Sequence, residues 1–160
     1  MKKLAINPKL DLVFDAKVRE MCFSCKRYNK KATCPPHINT LEYYRDLLTS
    51  YANGILYYEE FVVEGNVRIQ SNLTSLQMHK TIEVERLRLF NAGQYFVMGL
   101  GAGSCKLCTK CSFPCKLPGR ALVPVEATGI DVVATMGRQG IAVKFPVKER
   151  FYRIGGIFYG

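Results

Sequence analysis

The apolar positions of the chain predict helices and strands in alternation. Over residues 41–51, apolar side chains recur three and four positions apart, which predicts a helix with one apolar face. Asn39 or Thr40 can cap the N-terminus of this helix, and Gly54 can end it. A mainly apolar run at residues 55–63 then predicts a strand.

The same pattern continues along the rest of the chain. Further helices are predicted at residues 15–21, 72–91 and 130–136. Further strands are predicted at residues 95–98, 141–145 and 151–159. Turns are expected at residues 64–71 and 122–129, and a bulge at Gly155 and Gly156. These elements predict an α/β or α+β fold with a small central sheet and flanking helices.

Length and composition predict a single domain over residues 1–160. Apolar residues make up 48% of the chain and charged residues 22%, a balance that is typical of globular proteins. No apolar run in the sequence is long enough to cross a membrane. The basic start at Lys2 and Lys3 is not followed by the apolar stretch of a signal peptide, so we expect a cytoplasmic protein.

Positive charge and cysteine concentrate in the same two segments. The chain has 23 basic and 13 acidic residues, which gives a formal net charge of +10. Residues 21–40 and 101–120 each contain four basic residues and no acidic residue, and together they contain all seven cysteines. Such a surface suits an acidic redox partner protein, and to a lesser degree nucleic acid.

The cysteines form two groups, in loops that we expect to converge at one end of the sheet. The first group, in loop 22–37, has the spacing Cys22-x2-Cys25-x8-Cys34-Pro35-Pro36-His37. The second group, in loop 101–118, has the spacing Cys105-x2-Cys108-x2-Cys111-x3-Cys115. Bacterial-type ferredoxins hold iron–sulfur clusters with cysteines spaced in the second way. Disulfides are disfavoured, because the cytoplasm is reducing and the number of cysteines is odd.

Seven thiolates divide into four and three, which predicts two [4Fe–4S] clusters held by all seven cysteines. If His37 is an eighth ligand, both sites are closed and the protein is predicted to be a structural module or, as we favour, to transfer electrons to a partner. If His37 is not a ligand, one iron of the three-cysteine cluster is open to a substrate, and the protein is an iron–sulfur enzyme. The sequence leaves open whether the protein is an enzyme.

Two further alternatives concern the ligands. Zinc could bind to the first group together with His37, in a module that binds nucleic acid or protein. In the ferredoxin spacing the last cysteine precedes a proline, but here Cys115 precedes Lys116, whereas Cys34 does precede Pro35. Cys34 and Cys115 could therefore exchange between the two clusters.

The second group follows a glycine-rich segment at residues 99–103. The segment lacks the Gly-x-Gly-x-x-Gly pattern and the Lys-Ser/Thr pair of nucleotide-binding loops. We expect it to bring bare backbone close to a cluster, where side chains would not fit.

Three stretches of the chain resemble one prokaryotic family. These stretches are the two cysteine spacings, which include the preceding Gly101-Ala102-Gly103-Ser104, and Val125-Glu126-Ala127-Thr128-Gly129-Ile130-Asp131-Val132. The family is known mainly as predicted metal-binding proteins, a domain of unknown function common in anaerobes and methanogenic archaea. The similarity spans the chain from about residue 18 to near its end. It implies metal or iron–sulfur binding by the matched cysteines, and it names no substrate.

Overall fold

One sheet of five strands lies at the centre of the described part of the chain. The computed structural model describes residues 1–144 and 148–160. The strands are β1 (Lys2–Ile6), β2 (Asn53–Val62), β3 (Val97–Gly101), β4 (Val123–Pro124) and β5 (Arg150–Tyr159). Their order in the sheet is β1-β2-β5-β3-β4. Neighbouring strands are antiparallel except for β3 and β4, which are parallel.

Helices cover both faces of this sheet. They are α1 (Pro8–Asp11), α2 (Ala16–Glu20), α3 (Leu41–Ser50), α4 (Val67–Asn91) and α5 (Val132–Arg138). Successive side chains of β2 point to opposite faces, so Tyr57 packs in one core with Ile82 of α4, and Leu56 packs in another with Leu48 of α3 and Met136 of α5. The predicted fold class, a mixed sheet with flanking helices, is confirmed.

Two 3-10 turns complete the described elements, at Met21–Ser24 and Glu126–Thr128. Within residues 1–144 and 148–160, no helix combines the length and the apolar character needed to span a membrane.

The pairing of β2 with β5 shows why the chain needs a glycine at position 155. The two strands pair without interruption along their whole length, so the bulge expected at Gly155 and Gly156 is wrong. A Cβ atom at Gly155 would instead collide with the side chain of Ile82 in α4 and lie only 3.0 Å from the backbone oxygen of Leu100. Glycine here lets α4 pack closely against the sheet.

The ends of the helices differ from the predictions because their caps decide them. Thr40 caps α3, since its hydroxyl accepts from the Tyr43 N–H at 3.2 Å. The helix ends at Ser50, so Gly54 lies inside β2 rather than at the helix end. A Cβ atom at Gly54 would lie 2.9 Å from the Ile6 side chain of β1.

The longest helix, α4, begins at Val67 rather than at residue 72. The side-chain oxygen of Asn66 accepts from the N–H groups of Arg68 at 3.0 Å and Ile69 at 3.2 Å, which caps the helix. The turn predicted at residues 64–71 is therefore wrong from residue 67 onward. The apolar pattern missed this turn of helix because Ile69 is exposed rather than part of a buried face.

Other differences lie at the edges of the sheet. The sequence pattern did not predict β1, whose Leu4 pairs with Leu56 of β2, because edge strands carry exposed charges such as those of Lys2 and Lys3. The predicted strand at 141–145 is absent over residues 141–144, and residue 145 lies outside the described residues. The predicted turn at 122–129 contains β4 and a 3-10 turn.

Candidate metal centre

The second cysteine loop starts from the end of β3, and the first loop is fastened near the end of the neighbouring strand β4. The second loop follows β3 directly and returns to the parallel strand β4. The first loop lies between α2 and α3, and the Arg19 guanidinium of α2 holds it beside β4. This guanidinium donates to the backbone oxygen of Ala127, just after β4, at 2.8 Å, and to that of Asn39 at 3.0 Å. Arg19 thus ties both ends of the first loop to the strand that receives the second.

The loops also contact each other directly. The Ala32 N–H of the first loop donates to Cys111 Sγ of the second loop at 3.3 Å. The ring of His37 lies 4.3 Å, between centroids, from the ring of Phe113. The predicted convergence of the two loops is therefore confirmed.

The four thiols of the second group line one cleft. Cys105, Cys108, Cys111 and Cys115 are all half-buried and face about 360 Å³ of space free of protein atoms, including the solvent at its mouth. The other residues that line the cleft include Lys31, Ala32 and Thr33 of the first loop and Lys116 and Leu117 of the second. The cleft is thus built from both loops.

The three thiols of the first group lie near one another but differ in exposure. Cys25 is exposed, Cys22 is half-buried and Cys34 is buried. Burial raises the pKa of the Cys34 thiol to about 11, and the neighbouring Cys25 and Cys22 add to this rise. Burial also raises the pKa of Cys22, against the lowering effect of Arg19. Because the thiolate is the metal-binding form, these thiols must release protons when metal binds.

His37 is held by a hydrogen bond and by a ring contact. Its Nε2 lies 2.7 Å from the side-chain oxygen of Asn29. Asn29 has a left-handed φ of 58° and its N–H donates to the Pro35 oxygen at 2.9 Å. Since an amide oxygen accepts, the neutral ring that fits this contact donates from Nε2 and leaves the lone pair on Nδ1. A hydrogen bond of this kind orients histidines that bind metal through the other nitrogen.

The loops gather the thiols without forming a finished coordination sphere. Within residues 1–144 and 148–160, no three Cys, His, Asp or Glu side chains are grouped closely enough to hold a metal ion. The donor chemistry nevertheless fits a metal or a cluster, because soft thiolates are the ligands that iron–sulfur clusters and zinc prefer. The four cysteines at the cleft could hold one metal or cluster. The three cysteines of the first group, Cys22, Cys25 and Cys34, could hold another.

A partly buried ammonium group, that of Lys106, lies beside the second group. Lys106 Nζ donates to the backbone oxygen of Ser104 at 2.7 Å and to the Ser75 hydroxyl of α4 at 3.2 Å. Burial, together with the positive charges of Arg153 and of the first loop and against the opposing effect of Cys105, lowers the pKa of Lys106 to about 8. The lysine therefore places positive charge, held by neutral oxygens, next to the first thiol of the cleft.

Arg153 supports the same region from the sheet. Its Nε donates to the Thr74 hydroxyl of α4 at 3.1 Å. Burial lowers the pKa of Arg153, and the carboxylate of Glu126 opposes this effect. Burial raises the pKa of Glu126, which the charges of Arg153 and Lys106 oppose. The signal for Arg153 was present in the sequence, as a basic residue inside a mainly apolar strand.

The end of the second loop is fastened to α4. His79 is buried, and its Nε2 donates to the backbone oxygen of Arg120 at 2.8 Å. The side chain of Arg120 pairs with Glu83, and Arg86 donates to the backbone oxygen of Gly119. The loop is thereby held against a long helix on its far side from the first loop.

The glycine-rich segment serves packing within the protein. A Cβ atom at Gly99 would lie 2.9 Å from the Ile82 side chain, and one at Gly101 would lie 3.3 Å from Leu122. Gly103 has a positive φ of 75°, which favours glycine. No cysteine sulfur is among the nearest atoms that a Cβ at these three positions would meet. Glycine is thus required here by the close approach to α4 and by the turn.

Comparison with known proteins identifies the family of this chain. No curated protein and no solved structure gives a match. The sequence model of the domain family DUF2284, described as predicted metal-binding protein, matches residues 6–159. The matched range includes both cysteine loops, the strands β2 to β5 and the last residue of β1. The chain therefore belongs to the DUF2284 family of predicted metal-binding proteins.

Proposed function

We propose that the protein holds two [4Fe–4S] clusters and transfers electrons to a partner protein in a reducing compartment such as the cytoplasm. The observation that carries this proposal is the arrangement of the thiols. Four of them line one cleft, and three others lie together in the adjoining loop. Four thiolates around a cleft suit a cluster, in which each sulfur binds a different iron.

The cleft also supports one assignment of the last cysteines. Cys115 lines the cleft of the second group. Cys34 is not among the lining residues, although Lys31, Ala32 and Thr33, which precede it, are. Cys34 is instead influenced by the charges of Cys22 and Cys25. We therefore assign Cys115 to the second site and Cys34 to the first, without exchange.

Backbone N–H groups and positive charge complete the environment of the thiols. The Ala32 N–H reaches Cys111 Sγ at 3.3 Å and the Arg27 N–H reaches Cys25 Sγ at 3.4 Å. Such donors stabilise negative charge on sulfur and raise the reduction potential of a cluster. Lys106 acts in the same direction beside Cys105. When bound, the clusters accept and release single electrons.

A second candidate is an iron–sulfur enzyme in which the three-cysteine cluster is open to substrate. The exposure of Cys25 favours it, because solvent and small molecules reach this thiol. Replacing His37 by Ala separates the two candidates. In a closed site, loss of the Nδ1 ligand changes the electron paramagnetic resonance spectrum of the first cluster, whereas in an open site the spectrum persists. Asn29→Gly, which tolerates the left-handed φ of position 29 and removes the hydrogen bond to Nε2 while His37 stays in place, should change the spectrum less than His37→Ala does.

The test of the proposal is chemical analysis of the protein after oxygen-free reconstitution with iron and sulfide. Two clusters give about eight iron and eight sulfide per chain, and the reduced protein shows two interacting paramagnetic signals. Absence of both iron and acid-labile sulfide would overturn the proposal. Stoichiometric zinc without sulfide would replace it with the zinc module.

A further inference from the structure

Exposed apolar side chains project from within both cysteine groups. Phe23 lies between Cys22 and Cys25 in the sequence and is 56% exposed, and Phe113 lies between Cys111 and Cys115 and is 50% exposed. Met21, directly before Cys22, is 58% exposed. We call Met21, Phe23 and Phe113 the apolar loop surface.

Contacts between the two loops connect the two phenylalanines of the apolar loop surface. The Phe23 ring lies 5.2 Å from the Tyr28 ring, between centroids. Tyr28 precedes Asn29, whose side chain binds His37. The His37 ring in turn contacts Phe113 at 4.3 Å. A chain of contacts thus joins the phenylalanines of the two loops.

The two loops that carry the apolar loop surface also carry exposed lysines. Lys26 and Lys30 are exposed in the first loop, and Lys110 and Lys116 are exposed in the second. No acidic residue occurs between residues 21 and 40 or between 101 and 120, and Glu20 is the nearest acid before the first segment. The loops therefore present an apolar centre with a rim of one sign of charge.

A comparison with α4 shows that this combination is distinctive. Val84 and Leu87 are exposed apolar side chains of α4. The charges beside them, Glu85 and Arg88, are of opposite sign and pair with each other at 3.0 Å. That helix face therefore carries charge of both signs, whereas the loop face carries positive charge only.

We propose that the apolar loop surface, with its lysine rim, is the docking face for an acidic redox protein. This inference rests on the proposed electron-transfer function. Protein interfaces are centred on aromatic side chains and methionine, with charge at the rim. Complementary charge speeds the encounter of such partners. A protein docked here lies against the side chains that separate the thiols within each group, so that it is adjacent to both proposed clusters.

A protein partner fits this face better than nucleic acid. Single-stranded nucleic acids stack their bases on open aromatic faces. Phe23 and Phe113 each have a neighbouring ring already packed against them, Tyr28 and His37 respectively. Met21 adds an aliphatic contact that a protein side chain can pack against but that offers no stacking platform.

The test is electron transfer from the reduced, reconstituted protein to an acidic flavodoxin, followed by stopped-flow absorbance at increasing salt. The rate constant should fall steeply with salt. The double variant Lys26→Glu and Lys110→Glu should lower it at least about tenfold at low salt and flatten its salt dependence. The double variant Phe23→Ala and Phe113→Ala should lower the rate at every salt concentration, because the apolar centre is lost.

Matched controls come from the exposed face of α4. The double variant Arg68→Glu and Lys80→Glu changes the net charge by the same amount as the double lysine variant, and Phe90→Ala removes an aromatic side chain that is 47% exposed. Both controls should transfer electrons at the wild-type rate. Equal rates for the loop variants and the controls would overturn the inference. Loss of single-stranded RNA binding in the loop variants, with unchanged transfer to flavodoxin, would overturn it in favour of nucleic acid.

Iron and sulfide content, and the rate of reduction by dithionite, are measured on every variant first. If the wild type contains no clusters, the proposed function fails and with it the inference. If all variants contain clusters and react equally with dithionite, a change in transfer to flavodoxin reports on docking alone. The two failures are thereby distinguished.

Discussion

The two cysteine groups differ in how they present their thiols. In the second group all four thiols are half-buried around one cleft. In the first group exposure is graded, from the exposed Cys25 to the buried Cys34. The second group is bounded partly by Lys31, Ala32 and Thr33, which belong to the first loop.

The difference indicates that one group depends on the other. The first loop closes its own turns, because the Cys25 N–H donates to the Cys22 oxygen at 3.1 Å and the Cys34 N–H to the Lys31 oxygen at 3.0 Å. The second cleft is completed only when the first loop lies against it. Damage to the first loop should therefore reach the second site, whereas loss of a second-group thiol should leave the first site intact.

The largest effect is expected from Cys108→Ser. Serine cannot replace the thiolate, so the second site should lose its cluster and the iron content should fall by about half. The paramagnetic signal of the first site should remain. Thr109→Ser, an exposed neighbour, is the control and should keep full iron content. Loss of both signals would contradict the independence of the first site from the second.

Ala32→Pro should have the next largest effect, through a backbone atom alone. Proline removes the N–H that donates to Cys111 Sγ. We expect iron to be lost from the second site faster than in the wild type, by at least about threefold in the presence of a chelator. Ala32→Ser keeps the N–H and should match the wild type. If proline has no effect, the first loop does not support the second site.

Thiol alkylation of the metal-free protein tests the grading within the first group. The thiolate is the reactive form, and burial raises the pKa of Cys34 to about 11. At pH 7 Cys25 should react at least about tenfold faster than Cys34, and the rate at Cys34 should rise with pH up to about 11. Mass spectrometry of peptides measures both rates. Cys25 and Cys34 should react at equal rates only in denaturant. Equal alkylation rates in the folded protein would contradict the difference in exposure between the two thiols.

The smallest effect concerns His79, which fastens the second loop to α4. Burial lowers the pKa of His79 below its ordinary value, so the unfolded chain binds a proton more readily than the folded one. The stability that depends on neutral His79 is complete above pH of about 6.5 and is lost as the pH falls. His79→Gln keeps a donor for the Arg120 oxygen and should remove this loss of stability, which is seen as a slope of the unfolding free energy against pH. Urea unfolding of the metal-free protein at pH 5 to 8 measures it, and an unchanged slope would contradict the assignment.

Some elements could be predicted because their signals are local. The helix α3 and the strand β5 were predicted within a few residues, since apolar spacing and the cap at Thr40 lie within the segments themselves. The helix α4 was predicted too short, because its first turn carries no buried apolar face and depends on Asn66. The strand β1 was missed because it is stabilised by pairing with a distant strand.

The site divides in the same way. The seven cysteines and the lysines around them were identified from spacing and charge. The environment that distinguishes the thiols was not, because Ala32 and Cys111 are 79 residues apart in the chain. Lys106 and Arg153 acquire their roles from contacts with α4, which no local pattern contains.

The sequence by itself determined which donor atoms this protein offers, how they are spaced and which charge surrounds them. These properties belong to short segments and survive in the unfolded chain. Only the tertiary structure decided that Cys34 is buried while Cys25 is exposed, and that the first loop forms a wall of the second cleft. Burial and the cleft arise when segments from distant parts of the chain exclude water between them, so no single segment can specify them.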